Sequence, residues 1–446
     1  MKIFISSSKL DSEEVDFLLK NLSKSEHEFF IGDLNIKAGD NWFRKINEKI
    51  EGLDVIIIII SRNTLKSKFA LKEIESIILN DISRKDTRII PITFDGTIPP
   101  GYLSNYQIID LSYDKELGFQ RLLAKLSKEN IFDEEFSEKE ERIKSDNLKR
   151  NNQFIKTLTN SLKDGRLTLV CGAGISIGAK IPSWNDLLLR LLESMMMRIS
   201  NNKSISLKNI STREFQKRLG SSSLVMGKYL KSNLGKDFLI ELRDALYQDN
   251  PKSCDLIDSI VDISRPQRDG KPLDSIITFN FDALIEENLK SHNIKHRAID
   301  NEGVRNKANE LPIYHVHGYL PRTGKITTKK DVVFSEDAYH TQFIEPFSWS
   351  NLIQLNKLSQ NTCLFVGMSL TDPNLRRLLD VANRKESSNS INHYIIKKTP
   401  EIDGSSGKVD ELLIFLEEQD ANELGLNVIW VESFNEIPNI LRQMIN

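Results

Sequence analysis

The chain has 446 residues, more than one ordinary domain needs, and 39% of them are hydrophobic, so we expect two or three domains with full cores. Its formal net charge of −2 excludes a global basic surface for nucleic acid, and no apolar run is long enough to span a membrane. Its three cysteines exclude a four-cysteine zinc site and a disulfide framework; with no signal-peptide pattern at the start, we expect a cytoplasmic protein.

Residues 1–127 alternate between apolar, strand-like runs and helical patterns. The strand-like runs are KIFIS, FFIG, DVIIIIIS, RIIPITF and a short IIDLS. Helices are expected at 41–50, at 70–79 and from Lys115 onwards. This alternation predicts a parallel sheet wrapped by helices.

Residues 128–150 are mostly charged with few apolar anchors, and we interpret them as a solvated, helical linker. Residues 151–446 form the larger unit, in which an apolar run ends at a glycine turn and a mainly helical insert follows at about 185–274. Strands are then expected at SIITF (275–279), IYHVH (313–317), DVVF (331–334), CLFVG (363–367), HYIIK (393–397) and NVIWV (427–431). The larger unit is therefore expected to be a second α/β domain.

Four strands of the larger unit end in polar or glycine residues. The first ends at 172–176, the second at 280–282, the third at His317 and the fourth at 367–369. In an open parallel sheet, the ligand crevice lies beyond the carboxyl ends of the strands. We therefore expect these four segments to surround one ligand.

The residue types at these strand ends suit a dinucleotide. Gly172 and Gly174 would offer backbone N–H groups to its phosphates. Hydroxyl and amide partners for its riboses would come from Ser176, Ser369 and Asn280. His317 could take a proton from a ribose hydroxyl or from attacking water, because imidazole titrates near working pH. If the dinucleotide carries a nicotinamide, that group is itself a good leaving group, and its release requires no metal.

Three residues near these strand ends have more than one interpretation. Asp282 would either cap the helix that follows it or orient a neighbour in the site. Trp184 would belong either to the core or to a lid over the nicotinamide pocket. His315 lies on the same strand face as His317, and we expect it to be structural.

The motifs GAGIS…IP (172–182), TFNFD (278–282), VHG (316–318) and GMS (367–369) resemble those of sirtuins, in the same order. The resemblance implies an NAD-binding, Rossmann-like domain in which Asn280 and His317 are catalytic. It also implies cofactor contacts from Gly172, Ala173, Gly174, Ser176, Trp184, Asp282, Gly367 and Ser369. A helical insert stands where protein-deacylating sirtuins have their zinc module. The pattern is similar to sirtuin-like effectors of bacterial antiphage systems such as Thoeris, which implies that NAD⁺ is hydrolysed.

Glu73 lies at the start of a predicted helix, in the segment DVIIIIISRNTLKSKFALKEIESII. A carboxylate at a helix N-terminus can simply stabilise the helix through its dipole, without any role in a site. Together with FISSS (4–8) and the loop at 33–42, this segment resembles a TIR domain over about 1–127. The resemblance implies a flavodoxin-like fold and a catalytic Glu73 that holds the nicotinamide ribose. It also implies assembly through the loop around 36–41.

Three functions remain open from the sequence. In the first, the sirtuin-like domain hydrolyses NAD⁺ to nicotinamide and linear or cyclic ADP-ribose in an antiphage abortive-infection system, and the TIR domain regulates or assembles it. In the second, the TIR domain is the NADase or cyclase, and the sirtuin-like domain senses a nucleotide. In the third, the protein is an NAD-dependent deacylase. The resemblance further implies a homo-oligomer through both domains and an activator that is phage-derived or a nucleotide.

Overall fold

The computed structural model forms two compact units, one of residues 1–152 with 400–420 and one of residues 153–399 with 421–446. We call them unit 1 and unit 2. The structure describes residues 1–22, 28–31, 52–84, 87–97, 99–103, 106, 108–112, 115–126, 135–200, 222–266, 273–326, 332–385, 393–400 and 407–445. No helix in this described part of the chain is both long and apolar enough to cross a membrane.

Unit 1 is built on a five-stranded sheet. Its strands are β1 (Lys2–Ser6), β2 (Glu28–Ile31), β3 (Val55–Ile60), β4 (Arg88–Thr93) and β5 (Ile109–Asp110). Its helices include α1 (Ser12–Leu22), α2 (Arg62–Lys66), α3 (Lys68–Arg84) and α4 (Lys115–Leu126). The sheet order is β2-β1-β3-β4-β5 with every neighbouring pair parallel, which is the flavodoxin-like order expected from the sequence. The helix predicted at 41–50 and the loop around 36–41 lie outside the described residues.

The central strand β3 explains why its sequence is six apolar residues in a row. Alternate side chains point to opposite faces of the sheet, so Ile57 and Ile59 enter one core while Ile56 and Ile58 enter the other. All of them are fully buried because helices cover both faces. The uninterrupted apolar run is therefore the signature of a doubly covered parallel strand.

A long helix, α5 (Glu135–Lys163), contains most of the segment predicted to be a linker. The expectation of a solvated segment is wrong at its last residue, because Arg150 is only 3% exposed. Its Nη1 lies 2.8 Å from Oε1 of Glu418, and the same oxygen accepts a hydrogen bond from the backbone N–H of Gly101. Unit 1 therefore extends past residue 127.

The segment 400–420 was expected in the larger domain, but it belongs to unit 1. It contains most of the helix α15 (Gly407–Glu423). Phe415 on this helix is buried against Tyr102, with ring centroids 5.2 Å apart. This apolar contact and the ion pair of Glu418 explain why the segment packs with the first 152 residues.

Unit 2 is built on a seven-stranded sheet. Its strands are β6 (Leu167–Cys171), β7 (Ser275–Thr278), β8 (His296–Ile299), β9 (Leu311–His315), β10 (Thr362–Val366), β11 (His393–Lys398) and β12 (Leu426–Val431). Its further helices are α6 (Gly174–Ile177), α7 (Trp184–Ser200), α8 (Ser223–Leu234), α9 (Phe238–Tyr247), α10 (Asp255–Ile263), α11 (Leu284–Ser291), α12 (Glu336–Ile344), α13 (Trp349–Gln360), α14 (Pro373–Lys385) and α16 (Ile437–Gln443). The sheet order is β12-β11-β10-β6-β7-β9-β8, and all pairs are parallel. This agrees with the Rossmann-like architecture expected from the sequence.

The described residues of unit 2 form two hydrophobic cores. One lies on the sheet, and the other joins α7, α8 and α9 around Phe334. The predicted insert at about 185–274 differs from this arrangement at its end, because α10 buries Ile260 and Val261 in the sheet core. The insert proper is therefore the group of helices α7 to α9.

The strand predicted at 331–334 is wrong for its described residues, 332–334. Phe334 N–H donates to the carbonyl of Val332, so the chain turns there instead of extending. Both side chains are buried in the insert core, which explains the apolar pattern without a strand. The strand β8, in contrast, was not anticipated.

Candidate active site

The strand order of unit 2 places a topological switch point between β6 and β10. From β6 the chain proceeds to β7 and the edge of the sheet, and it then returns to the other side of β6 as β10. Ligands of open α/β sheets bind at such a point, beyond the carboxyl ends of the strands. The segments that follow β6 and β10 therefore bound the candidate site.

The glycine turn after β6 packs directly on the turn after β10. Gly172 N–H donates to the Val366 carbonyl and Gly174 N–H donates to the Gly367 carbonyl, both at 3.0 Å. A Cβ at Gly172 would lie 2.5 Å from the Gly367 oxygen, and one at Gly174 would lie 2.7 Å from the Gly367 Cα. Gly367 itself has φ +65°, which side-chain-bearing residues rarely adopt. Close backbone approach thus requires all three glycines.

This contact corrects the expectation that Gly172 and Gly174 offer their N–H groups to a phosphate. Both groups already donate to carbonyls of the β10 turn. Between them, Ala173 is exposed, and its N–H donates to no acceptor in the described part of the chain. Ala173 is therefore the residue of this turn whose backbone N–H has no acceptor among the described residues.

Behind the turn, Ser176, Asn280 and Asp282 form one buried cluster. Asn280 Nδ2 donates to Ser176 Oγ at 3.2 Å, and Ser176 Oγ donates to Asp282 Oδ2 at 3.2 Å. Asp282 Oδ1 also accepts from the N–H of Leu284, the first residue of α11. Asp282 therefore accepts from the first turn of α11, although the N-cap residue itself is Ala283, and it also contacts Ser176; its role toward a cofactor stays a prediction.

Burial raises the pKa of Asp282 from its ordinary value of 3.8 to about 6, and the charge of Glu286 acts in the same direction. Hydrogen bonds from Leu284 N–H and Ser176, together with the charge of His315, limit this rise. The buried carboxyl group is therefore harder to ionise than an ordinary aspartate.

His315 contacts the backbone of this cluster and links it to Glu286. Its Nε2 lies 2.7 Å from Glu286 Oε1, and its Nδ1 lies 3.1 Å from the carbonyl of Asn280. Burial alone would lower the pKa of His315, but Glu286 and the other acceptors outweigh burial and raise it. The buried ion pair agrees with the structural role expected for His315.

His317 lies two residues past the end of β9, where it contacts groups from outside the sheet. Its Nε2 is 3.3 Å from Asp372 Oδ2, and the same oxygen accepts a hydrogen bond from the Tyr339 hydroxyl at 2.8 Å. Asp372 Oδ1 accepts from Leu375 N–H at 2.7 Å at the start of α14. Burial alone would raise the pKa of Asp372, but the hydrogen bonds and charge of its partners lower it below the ordinary value.

Sequence reasoning missed Asp372 and Tyr339. A signal for the first was present, because Asp372 directly precedes Pro373, and an Asp followed by Pro marks a helix N-terminus. That signal places a carboxylate just after the β10 turn, on the same edge of the sheet. No comparable pattern marks Tyr339.

Ser369 and Trp184 are the two further residues predicted to contact the cofactor. Ser369 is exposed and its hydroxyl is 2.8 Å from Thr371 Oγ1. Trp184 is half-buried in the insert core, with its ring 4.8 Å from that of Phe334. This favours the core interpretation of Trp184, and its contact with a cofactor stays a prediction.

Polar contacts join the four strand ends in sequence around the sheet edge. Gly174 meets Gly367, Asn280 meets Ser176 and His315, and His317 meets Asp372 after β10. The four segments expected to converge are therefore brought together. Among the described residues, no group of three or more His, Cys, Asp or Glu side chains could hold a metal.

In unit 1 a second pair of polar side chains meets at the carboxyl end of β1. Ser6 Oγ donates to Glu73 Oε2 at 2.8 Å, and both side chains are buried. Nearby, Ser61 caps α2 and donates to Asp11 at 2.6 Å. The FISSS segment and Glu73 are therefore neighbours.

Two family models match separate parts of the chain. Residues 3–123 match the family described as TIR domain, and residues 274–421 match the family described as SIR2-like domain. The second match covers Asn280, His317 and Asp372 but not the glycine turn after β6.

Curated relatives include the NAD(+) hydrolase ThsA of Enterococcus faecium, which is 22% identical over 311 residues, 65% of this chain and 57% of that protein. The NAD(+) hydrolase ThsA of Bacillus cereus (strain MSX-D12) is 22% identical over 306 residues, 66% of this chain and 56% of that protein. The chain thus spans little more than half the length of these relatives. Among solved structures, the TIR domains of the activated Roq1 resistosome directly recognizing the pathogen effector XopQ are 17% identical, covering 32% of this chain and 80% of that one, with a TM-score of 0.19. The two family models thus assign a TIR domain to residues 3–123 and a SIR2-like domain to residues 274–421.

Proposed function

We propose that the protein hydrolyses NAD⁺ to nicotinamide and ADP-ribose, and that the site at the switch point of unit 2 performs the reaction. The observation that carries the proposal is the ring of contacts that joins the ends of β6, β7, β9 and β10. Such a ring presents an amide and an imidazole where α/β sheets bind dinucleotides. The relatives named NAD(+) hydrolase ThsA support the same substrate.

In the proposed reaction, water attacks C1′ of the nicotinamide ribose while the bond from C1′ to the nicotinamide nitrogen breaks. The electron pair of that bond goes to the ring nitrogen and neutralises its positive charge. His317 takes the proton that the attacking water loses, as a general base. The products are nicotinamide, ADP-ribose and one proton.

Asn280 has the complementary role of holding the ribose or the attacking water. Its amide is fixed on one side by Ser176, and its backbone carbonyl is fixed by His315. This orientation is set before substrate arrives, so little reorganisation accompanies the reaction.

The chemical test is the release of nicotinamide from NAD⁺ by the purified full chain, resolved by chromatography. We expect Asn280→Ala and His317→Ala each to reduce turnover by at least ~100-fold, because each removes a group that contacts the reacting atoms. His292→Ala, an exposed histidine at the end of α11, is the matched control and should retain full turnover. Undiminished turnover by the folded double variant Asn280→Ala/His317→Ala would refute the assignment.

A second candidate function assigns NAD⁺ cleavage or cyclisation to unit 1, with unit 2 as a nucleotide sensor. The observation that favours it is the buried Ser6–Glu73 pair at the carboxyl end of β1, the edge where flavodoxin-like sheets bind ligands. Deacylation is less well supported, because three cysteines cannot build the zinc module of deacylating sirtuins.

The biological setting is proposed from resemblance. We propose that the protein acts in the cytoplasm of a bacterium, forms a homo-oligomer through both domains, and depletes NAD⁺ during phage infection once a phage-derived or nucleotide activator is present. Gel filtration of the full chain and NAD⁺ measurement in infected cells expressing wild type or His317→Ala test these two statements. A monomer, or NAD⁺ levels that fall equally in both strains, would contradict them.

A further inference from the structure

The environment of His317 distinguishes its two ring nitrogens. Nε2 faces Asp372 Oδ2 at 3.3 Å, whereas Nδ1 has no partner among the described residues. Both side chains are almost completely buried, with exposures of 8% for His317 and 10% for Asp372. The contact is therefore shielded from competing water, which strengthens it.

The carboxylate of Asp372 is held in place by two further donors. Leu375 N–H donates to Oδ1 at 2.7 Å, as expected for the cap of α14, and the Tyr339 hydroxyl donates to Oδ2 at 2.8 Å. These contacts come from α14 and α12, so the position of the carboxylate does not depend on His317. The Asp372 carboxylate is thus fixed by its other partners, and the His317 imidazole is oriented by its contact with this carboxylate.

Aromatic rings restrict the imidazole in the same orientation. The ring of Phe279 lies edge-on at 4.7 Å, and that of Tyr339 lies edge-on at 5.7 Å. The backbone carbonyl of His317 also accepts a hydrogen bond from Val333 N–H at 2.8 Å. A flip of the ring would replace the Nε2 contact to Asp372 by a carbon, leaving a buried carboxylate with one partner fewer.

An ionised carboxylate can only accept hydrogen bonds. The pKa of Asp372 lies below its ordinary value, so the group is ionised at neutral pH. The nitrogen that faces it must then carry the hydrogen, and the other nitrogen of a neutral imidazole keeps its lone pair.

We propose that Asp372 is a positioning residue that holds neutral His317 with its hydrogen on Nε2, so that Nδ1 is the nitrogen that accepts the proton of the attacking water. The tautomer is a property of the free protein. Its catalytic consequence rests on the proposed NAD⁺ hydrolysis.

The test of the tautomer needs no activity. The full chain is labelled with ¹⁵N-histidine, and the ring nitrogens are observed by nuclear magnetic resonance. The chain has 7 histidines, and the signals that vanish in His317→Gln assign His317. We expect a hydrogen on Nε2 and none on Nδ1 in neutral His317. A hydrogen on Nδ1 in the wild type would overturn the proposal.

Asp372→Asn sharpens the test because the helix cap fixes which way the new amide points. Its oxygen must face Leu375 N–H, so its NH₂ group faces Nε2 and donates to it. We expect the hydrogen of His317 to move to Nδ1 and kcat for NAD⁺ hydrolysis to fall roughly 100-fold, with KM changed less than ~3-fold. An unchanged tautomer in this variant would overturn the proposal.

Two variants separate positioning from folding. Asp372→Ser retains a good cap for α14 but does not reach His317 or Tyr339, so the variant should still fold, with a melting temperature lowered only by the lost Tyr339 contact, while kcat falls as in Asp372→Asn. Asp337→Asn removes an exposed charge two residues before Tyr339 and should leave both readouts unchanged. Normal kcat in folded Asp372→Ser would contradict the positioning role.

The proposed function and this inference fail differently. If no condition gives NAD⁺ hydrolysis but Nε2 carries the hydrogen and Asp372→Asn moves it, the tautomer assignment stands and the reaction does not. If hydrolysis occurs but the hydrogen lies on Nδ1, the reaction stands and the role of Asp372 is wrong.

Discussion

Asp282 is a buried carboxyl group whose pKa of about 6 makes the stability of unit 2 depend on pH. Because its pKa is higher in the folded protein than in the unfolded chain, the folded state binds more protons between about pH 4 and 6. Its contribution to stability is therefore present at low pH and is lost as the pH rises through 6. The size of this loss is on the order of 3 kcal/mol.

We predict that Asp282→Asn removes this loss, because an amide oxygen can accept from Leu284 N–H without a charge to bury. The melting temperature of the variant relative to wild type should rise from pH 4 to pH 6 and stay level above that. Asp164→Asn, at an exposed position of the same unit, is the control and should show no such trend. A difference between Asp282→Asn and wild type that is flat across this range would contradict the burial argument.

Gly174 gives a steric prediction. A methyl group there would lie 2.7 Å from the Cα of Gly367, which is backbone and cannot move aside. We expect Gly174→Ala to lower the free energy of unfolding by ~1–3 kcal/mol and to reduce NAD⁺ turnover by separating the two turns. Gly303→Ala, at an exposed glycine where the added methyl would meet only the Asn301 side chain, should change neither, as measured by denaturation and nicotinamide release. Wild-type stability in Gly174→Ala would show that the close approach is absent.

Single residues differ in how far their roles could be predicted. The location of Asn280 and His317 at one edge of the sheet could be predicted, because each lies two residues past an apolar strand and parallel strands end at one edge; their catalytic roles stay a prediction. The N–H groups of Gly172 and Gly174 could not be assigned correctly, since their acceptors lie on the turn after β10. Tyr339 contributes through a contact with Asp372 on another helix, and no local pattern marks it.

At the level of elements, strands in the middle of a sheet were easier to predict than strands at its edge. The six apolar residues of β3 allow no other interpretation, because both faces of that strand are covered. The edge strand β8 has the sequence HRAI, in which Arg297 is exposed. It lacks the apolar run by which a strand is predicted. The segment 332–334 is the reverse case, an apolar pattern without a strand. Its apolar side chains fill the insert core while its backbone turns.

The ion pair between α5 and α15 gives a prediction at the same level. Arg150→Ala would leave Glu418 buried beside Gly101 without its guanidinium partner, which typically costs ~3–5 kcal/mol. We expect faster hydrogen exchange in peptides from α15 and a lower melting temperature of the full chain. Replacing both residues, Arg150→Met with Glu418→Leu, should recover most of the loss.

The exposed pair Arg384–Asp380 is the matched control for this prediction. It joins positions four apart on α14, with a side-chain exposure of 73% for the arginine. Arg384→Ala should therefore change the melting temperature very little. Equal effects of Arg150→Ala and Arg384→Ala would show that burial of the first pair contributes nothing.

For the molecule as a whole, the sequence was enough to predict two α/β domains with parallel sheets, and the structure and the family matches confirm that fold class. The rhythm of strands and helices carries this information locally. The membership of 400–420 in unit 1 could not be predicted, because its partners Tyr102 and Arg150 lie hundreds of residues earlier in the chain. Long-range contacts of this kind leave no periodic pattern.

The most direct test of the central claim compares three purified full chains for their products from NAD⁺: wild type, His317→Ala and Glu73→Gln. The glutamine at position 73 keeps an acceptor for Ser6, so the core of unit 1 should remain intact. We predict nicotinamide and ADP-ribose from wild type and Glu73→Gln, and neither product from His317→Ala. Full product formation by His317→Ala, with none from Glu73→Gln, would place the chemistry in unit 1 and contradict the account.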